Sequence, residues 1–139
     1  MRVSGKLAVD TSAVIAYMEG VGSVRSLLES ADTIFSPVVV LGELLYGAAN
    51  SAQPEKNEQT VRQFLAHSVL LPIDETIADQ YATTRLELKK IGHPIPENDL
   101  WIAATCLELG IPLLTADGHF DYVQGLQVVN WVTEKAGPI

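Results

Sequence analysis

The stretch 6–15 limits the folds open to this chain more than any other segment. Residues 6–9 form a short apolar run that is typical of a buried strand, and Thr11 and Ser12 then supply helix-capping chemistry. Asp10 therefore falls at the carboxyl end of a strand, directly before a helix. In an open α/β sheet, ligands bind at this edge. An ionised carboxylate among apolar neighbours is costly to desolvate unless a positive group meets it, so we expect a cation at Asp10.

Strand-like and helix-like patterns alternate along the chain. They predict strands at 6–9, 33–36, 69–73, 111–115 and 126–131, and helices at 13–18, 23–29, 38–49, 58–68, 75–91 and 100–109, the last opened by 97–99. Alternating strands and helices favour a parallel sheet with right-handed crossovers. We therefore predict an α/β fold, a three-layer α/β/α sandwich with a central parallel sheet, built as a single domain over 1–139.

Composition narrows the class of protein. The chain of 139 residues is 47% hydrophobic, enough for a sizeable core, and its net charge of −8 lacks the basic footprint of a protein that reads nucleic acid by charge alone. A nuclease with an acidic metal site stays compatible with that charge. Cys106 is the single cysteine, which predicts a core thiol and a reducing, cytoplasmic setting. No run approaches the roughly 18 apolar residues of a membrane span, and Asp10 interrupts the first apolar run, which argues against a secretory signal.

Glu43 is the only charge in the segment 38–49, which is apolar on nearly every face. A helix of that kind is usually buried, and a buried carboxylate needs a partner. The alternative is that Glu43 lies on a narrow exposed strip or accepts a hydrogen bond from a backbone amide. Because glutamate is seldom found buried without a partner, we favour a functional role.

Two further acids occupy comparable positions. Asp117 follows the strand 111–115 as Asp10 follows the first strand, and Asp99 lies at or near a helix N-terminus, where exposed amides favour the ionised form. Parallel topology can bring these acids and Glu43 to one end of the sheet. Carboxylates that share a pocket raise one another's pKa unless a cation is present.

The chemistry of this set indicates the cation. Oxygen ligands without cysteine or paired histidines suit Mg²⁺ or Mn²⁺ rather than zinc. Such ions keep waters that phosphate oxygens can replace, and one or two of them can orient a water for in-line attack on phosphorus. Thr11, Ser12 and Thr115 could hold metal-bound waters or orient the carboxylates; the alternative is that they only cap helices and turns.

Four motifs, in this order and spacing, resemble the PIN-domain family, and more narrowly the VapC-type ribonuclease toxins of prokaryotic toxin–antitoxin pairs. They are Asp10-Thr11-Ser12, Gly42-Glu43-Leu44, Asn98-Asp99-Leu100-Trp101-Ile102-Ala103-Ala104 and Thr115-Ala116-Asp117-Gly118-His119-Phe120. The resemblance implies a Mg²⁺- or Mn²⁺-dependent endoribonuclease that is usually a homodimer, cuts RNA and is inhibited by a cognate antitoxin protein. It also implies that the acidic quartet Asp10, Glu43, Asp99 and Asp117 forms the catalytic metal site, with Asp10 and Asp99 the first choice as direct ligands.

The chain departs from some members of this family at one position. They carry another acid two residues after the last aspartate, where this chain has His119. A fifth acidic ligand is therefore not predicted there, and whether Asp121 compensates stays open. His119 could contact a phosphate or pack beside Phe120, and we favour the packing role.

An antitoxin that wraps such a toxin would be expected to be basic, which the charge of −8 complements. The second and third helices, including Leu41, Leu45 and Tyr46, could offer a groove for an amphipathic segment.

Other classes of protein fit less well. A receiver-like signalling domain needs a lysine after a late strand, and none lies between Pro112 and Trp131. A phosphatase with an aspartyl nucleophile needs a second acid where this chain has Ser12. The alternative that remains is a catalytically weak PIN module that binds RNA or protein.

Overall fold

The computed structural model describes residues 5–132. Within this range there are five strands, six α-helices and one 3₁₀ helix. The strands are β1 (Lys6–Val9), β2 (Thr33–Pro37), β3 (Val69–Leu71), β4 (Leu113–Leu114) and β5 (Val128–Val129). The helices are α1 (Thr11–Met18), α2 (Gly22–Ser30), α3 (Val38–Ala49), α4 (Pro54–Leu65), α5 (Glu75–Lys90) and α6 (Glu97–Leu109), and the 3₁₀ helix spans Gly118–Tyr122.

The five strands form one sheet in the order β3-β2-β1-β4-β5, and every neighbouring pair is parallel. The helices flank this sheet, so the predicted three-layer α/β/α sandwich with a central parallel sheet is confirmed. Strand β1 lies at the centre of the sheet. The chain first adds β2 and β3 on one side of β1 and then crosses over to add β4 and β5 on the other side. This reversal of strand order opens a crevice beyond the carboxyl ends of β1 and β4, where ligands bind in sheets of this kind.

The core explains why these segments became strands. Leu7, Ala8 and Val9 of β1 are fully buried, as are Leu113 and Leu114 of β4. A strand covered by helices on both faces reads as a continuous apolar run instead of an alternating one. The same property made these strands recognisable in the sequence.

Several element boundaries differ from the prediction. Helix α4 was expected at 58–68 after a loop, but it begins at Pro54 and ends at Leu65. Proline is well suited to the first helical turn because it has no N–H to leave unpaired, and Glu55 beside it favours the positive end of the helix dipole. The strands predicted at 111–115 and 126–131 shrink to two residues each, since only those residues share ladder positions with a neighbouring strand.

Helix α3 is not buried on all sides, contrary to the expectation from its apolar sequence. Val40, Leu44 and Ala48 are buried on one face, whereas Tyr46 is 70% exposed. Small residues occupy the rest of the outer face, so the segment is uniformly apolar without being uniformly covered.

The longest helix in the described part of the chain, α5, has 16 residues. No helix among the described residues is both long enough and apolar enough to cross a membrane.

Candidate metal centre

Asp10 and Thr115 face each other at the reversal of strand order. The register pairs Val9 of β1 with Leu114 of β4, so the residues that follow them, Asp10 and Thr115, meet just beyond the sheet. Thr115 Oγ1 donates a hydrogen bond of 2.5 Å to Asp10 Oδ2, and it accepts one of 2.9 Å from the Asp117 amide. Thr115 is fully buried. One threonine hydroxyl therefore fixes two of the predicted acids relative to each other.

Asp10 also caps helix α1. Its Oδ1 accepts hydrogen bonds from the Ala13 amide at 2.9 Å and from Ser12 Oγ at 2.7 Å. Burial raises the pKa of Asp10 above its usual value, the hydrogen bonds from these partners and Thr115 oppose that rise, and the charge of Asp117 adds to it. The carboxylate is thus held in one orientation, and no lysine or arginine among the described residues forms an ion pair with it.

Asp99, Asp117 and His119 form the tightest cluster of possible ligands. Asp99 lies in the first turn of α6, and Asp117 caps the 3₁₀ helix by accepting the His119 amide at 2.9 Å. His119 Nδ1 lies 3.0 Å from Asp117 Oδ1 and 3.3 Å from Asp99 Oδ2. One ligand atom from each residue lies within 4.8 Å of the other two.

The pKa of Asp99 links this cluster to the remaining acid. Burial raises that pKa, the hydrogen bond with His119 lowers it, and the negative charges of Asp117 and Glu43 raise it further. Asp10 is coupled to Asp117 in the same way. Charge repulsion therefore links Asp10 to Asp117, and Asp99 to both Asp117 and Glu43, which makes the four acids one connected group.

Glu43 is half-buried and held from two directions. Thr11 Oγ1 donates to its Oε1 at 2.5 Å, and Asn98 Nδ2 donates to its Oε2 at 3.1 Å. Helix α3 thus connects through one carboxylate to the start of α1 and the start of α6. Both hydrogen-bond partners of Glu43 are side chains, so the alternative of a bond from a backbone amide is wrong.

This donor set suits a divalent cation. Carboxylates dominate it, burial raises the pKa of two of them, and no lysine or arginine within residues 5–132 forms an ion pair with any of the four acids. Uncompensated charge of this kind is what a metal ion neutralises. The cluster of Asp99, Asp117 and His119 could bind a metal ion.

Some features of the site escaped the sequence analysis. Asn98 lies within one of the four motifs and is not among the predicted site residues, although its position next to Asp99 in a first helical turn is a usable signal. His119 contacts two acids instead of only packing beside Phe120. Asp121 is exposed on the 3₁₀ helix. Cys106 is buried and its pKa rises to about 12, which agrees with the predicted core thiol.

Two neighbouring hollows with mostly apolar linings lie between the helices, and the second of them reaches the acidic site. The first, about 440 Å³, lies between α1, α2 and α4 and includes Tyr17 and Phe64. The second, also about 440 Å³, lies between α1, α3 and α4 and reaches Thr11 and Glu43. Met18 and Thr60 line both hollows, which makes them neighbours along one path.

The predicted groove on the second and third helices is therefore only partly correct. Tyr46 lines a shallow hollow with Glu43 and Asn98, but Leu41 and Leu45 pack against the core and line none of the hollows described above.

The chain belongs to the PIN domain family, whose model matches residues 7–126. Within that family it is similar to ribonucleases of the VapC type. Ribonuclease VapC5 of Mycobacterium tuberculosis is 32% identical over 121 residues, which cover 84% of this chain and 87% of that protein. Ribonuclease VapC2 of Haemophilus influenzae is 34% identical over 95 residues, 68% of this chain and 72% of that protein.

The fold is similar to that of solved toxin–antitoxin complexes. The structure of VapBC2 from Rickettsia felis, bound to a DNA fragment from its promoter, superposes with a TM-score of 0.84 at 27% identity, covering 91% of this chain and 98% of the matched chain.

Proposed function

We propose that this protein is a divalent-metal-dependent endoribonuclease and the toxin of a toxin–antitoxin pair. The observation that carries the proposal is the meeting of Asp10, Glu43, Asp99 and Asp117 at the reversal of strand order in a chain similar to VapC ribonucleases. Mg²⁺ or Mn²⁺ is the ion that fits a set dominated by carboxylates.

Each residue then has a task. Asp10, Asp99 and Asp117 would hold the ion, and Glu43 would complete the negative pocket. A divalent ion bound there would polarise a phosphoryl oxygen and lower the pKa of a water molecule. Thr115 and Ser12 orient the two oxygens of Asp10, while Thr11 and Asn98 orient those of Glu43. The net reaction adds water across one phosphodiester P–O bond.

The binding-module alternative has less support. A module that only binds RNA needs no buried acid whose charge lacks a positive partner, and it gains from basic side chains, whereas this chain has a net charge of −8. An intact acidic quartet with orienting hydroxyls favours catalysis.

Cleavage of structured RNA by the purified chain tests the proposal. We expect cleavage with Mg²⁺ or Mn²⁺ and none with chelator. Asp10→Asn and Asp99→Asn should each lose at least the roughly 10- to 100-fold that loss of an orienting partner alone costs a metal site. Asp74→Asn is the matched control, because Asp74 is an exposed helix cap on α5. Equal cleavage by all variants would refute the metal-site assignment, and a wild-type protein that binds RNA without cutting it would favour the module.

An antitoxin is the protein partner that this proposal includes. The solved complex from Rickettsia felis contains a toxin and an antitoxin together. The two hollows adjoin each other and have mostly apolar linings, which could accept the apolar face of an amphipathic helix. The second hollow extends to Glu43 and Thr11. We propose that a basic side chain of the antitoxin reaches the acids from this direction, which the charge of −8 favours.

The homodimer implied by the family resemblance and the cytoplasmic setting implied by the single cysteine stay predictions. Sedimentation of the purified chain would test the first.

A further inference from the structure

His119 occupies a position that the proposed function leaves without a task. Its Nδ1 approaches one oxygen each of Asp117 and Asp99, at 3.0 Å and 3.3 Å. The side chain is 49% exposed, so no packing requirement forces it between the two acids. Some members of the family that this chain resembles carry another acid at this position.

The distances match those between neighbouring ligands of one ion. Ligands of an octahedral ion stand about 2.0–2.1 Å from the metal, so adjacent ligand atoms lie about 3 Å apart and opposite ones about 4 Å apart. His119 Nδ1 lies 3.0 Å from the Asp117 oxygen and 3.3 Å from the Asp99 oxygen, which fits adjacent ligands, and one ligand atom from each of the three residues lies within 4.8 Å of the other two.

A single hydrogen bond from His119 Nδ1 does not explain why both carboxylate oxygens lie so close to this atom. Nδ1 carries at most one hydrogen, which points in one direction, whereas two carboxylate oxygens lie at nearly equal distance from it. The backbone at His119 is held independently of the ring, since the His119 amide donates to Asp117 at 2.9 Å and the neighbouring Phe120 is fully buried.

We propose that His119 Nδ1 is a direct ligand of the ion held by Asp99 and Asp117, and that the site therefore selects Mn²⁺ over Mg²⁺. Magnesium is a hard ion that takes oxygen ligands, whereas first-row transition ions also accept nitrogen ligands, and Mn²⁺ is the one among them that suits carboxylates. This inference rests on the proposed metal site and concerns its ligands and selectivity, which a set of oxygens alone would not provide.

Pulsed electron paramagnetic resonance of Mn²⁺ bound to the full chain tests the ligand directly, because a coordinated imidazole nitrogen couples to the electron spin. Calorimetric titration with Mn²⁺ and Mg²⁺ gives the selectivity. The variants are His119→Ala and His119→Asp, and His67→Ala, an exposed histidine at the end of α4, is the matched control. Circular dichroism confirms the fold of each.

We expect nitrogen coupling in the wild type and in His67→Ala, and none in the two His119 variants. His119→Ala should lose at least about tenfold in Mn²⁺ affinity, with a smaller loss for Mg²⁺. His119→Asp should recover affinity without the nitrogen signal and shift the preference towards Mg²⁺.

Bound Mn²⁺ without nitrogen coupling, or an unchanged Mn²⁺ to Mg²⁺ ratio in His119→Ala, would overturn the assignment of His119 while leaving the nuclease proposal intact. A wild-type chain that binds neither ion and cuts no RNA would overturn both.

Discussion

Thr115 is the residue on which the geometry of the site depends most. Its hydroxyl donates to Asp10 in a buried hydrogen bond and accepts from the Asp117 amide in a partly buried one. A buried polar group that loses its partner costs about 1–3 kcal/mol, so this one hydroxyl stabilises two strand ends at once.

Replacing Thr115 with valine removes the hydroxyl and keeps the shape. We expect a loss of about 1–3 kcal/mol in the free energy of unfolding and a roughly 10- to 100-fold drop in metal affinity. Urea denaturation and calorimetric titration measure the two effects. Thr105→Val is the matched control: Thr105 is equally buried, but its Oγ1 donates to the Trp101 carbonyl within helix α6 and touches no acid. If both variants lose metal affinity equally, Thr115 has no special role.

In the presence of a chelator, Asp10 should make the free energy of unfolding depend on pH in a characteristic way. Burial raises its folded-state pKa above the unfolded value of 3.8, so its contribution to stability is complete below pH 3.8 and is lost as the pH rises through the raised value. The stability of Asp10→Asn relative to wild type should therefore increase over that window.

Asp74→Asn should show the opposite trend. The Ile77 amide lowers the pKa of Asp74, so its contribution is present above pH 3.8 and is lost as the pH falls through the lowered value. Urea denaturation from about pH 3 to pH 8 with chelator measures both trends. Parallel curves for the two variants would contradict the assigned shifts.

At the scale of elements, the start of α6 is the most instructive. Its first turn carries Glu97, Asn98 and Asp99, and each has a different partner. Glu97 accepts from Tyr81 and Arg85 of α5, Asn98 donates to Glu43 of α3, and Asp99 meets His119 of the 3₁₀ helix. Trp101 stacks on Tyr81 with ring centres 3.9 Å apart. Three neighbouring elements thus fix the helix end that presents an acid to the site.

The path between α1 and α4 supplies the prediction at this scale. Thr60 lies on the outer face of α4 and lines both hollows. Thr60→Trp should fill the path and weaken antitoxin binding at least about tenfold, because interface cores depend on close packing. Gln59→Trp, one residue earlier and outside both hollows, is the control. Binding of the purified antitoxin by calorimetry is the measurement, and equal affinity for both variants would place the partner elsewhere.

The sequence predicts the fully buried strands of the sheet well. It does not predict how partly exposed side chains such as His119 and Tyr46 are oriented or covered. The uninterrupted apolar runs identified β1 and β4, and the parallel rule then placed Asp10 and Asp117 together. The direction of the His119 ring follows from the turn capped by Asp117, a local geometry that residue spacing does not encode. The exposure of Tyr46 depends on which neighbours cover α3, which is a property of the assembled fold.

The whole molecule carries a net charge of −8, and four of its acids, Asp10, Glu43, Asp99 and Asp117, lie around one edge of the sheet. Without a metal ion, the acids of this site repel one another and also repel the phosphates of RNA. A bound cation should therefore raise both the stability of the fold and the affinity for RNA.

Divalent ions should accordingly stabilise the folded chain. At a metal concentration of about 100 times the dissociation constant, the free energy of unfolding should rise by about 2.7 kcal/mol. Thermal denaturation with Mn²⁺, with Mg²⁺ and with chelator measures the effect. Asp99→Asn should lose most of the increase and Asp74→Asn should keep it. An equal rise in all three proteins would indicate that the ions act elsewhere on the surface.

The hydrogen bond between Asp10 and Thr115 spans 105 positions of the chain. A ribosome that has synthesised the first hundred residues has therefore produced Asp10, Glu43 and Asp99 but not the strand that unites them. Chains that end before Thr115 should therefore lack the assembled acidic site.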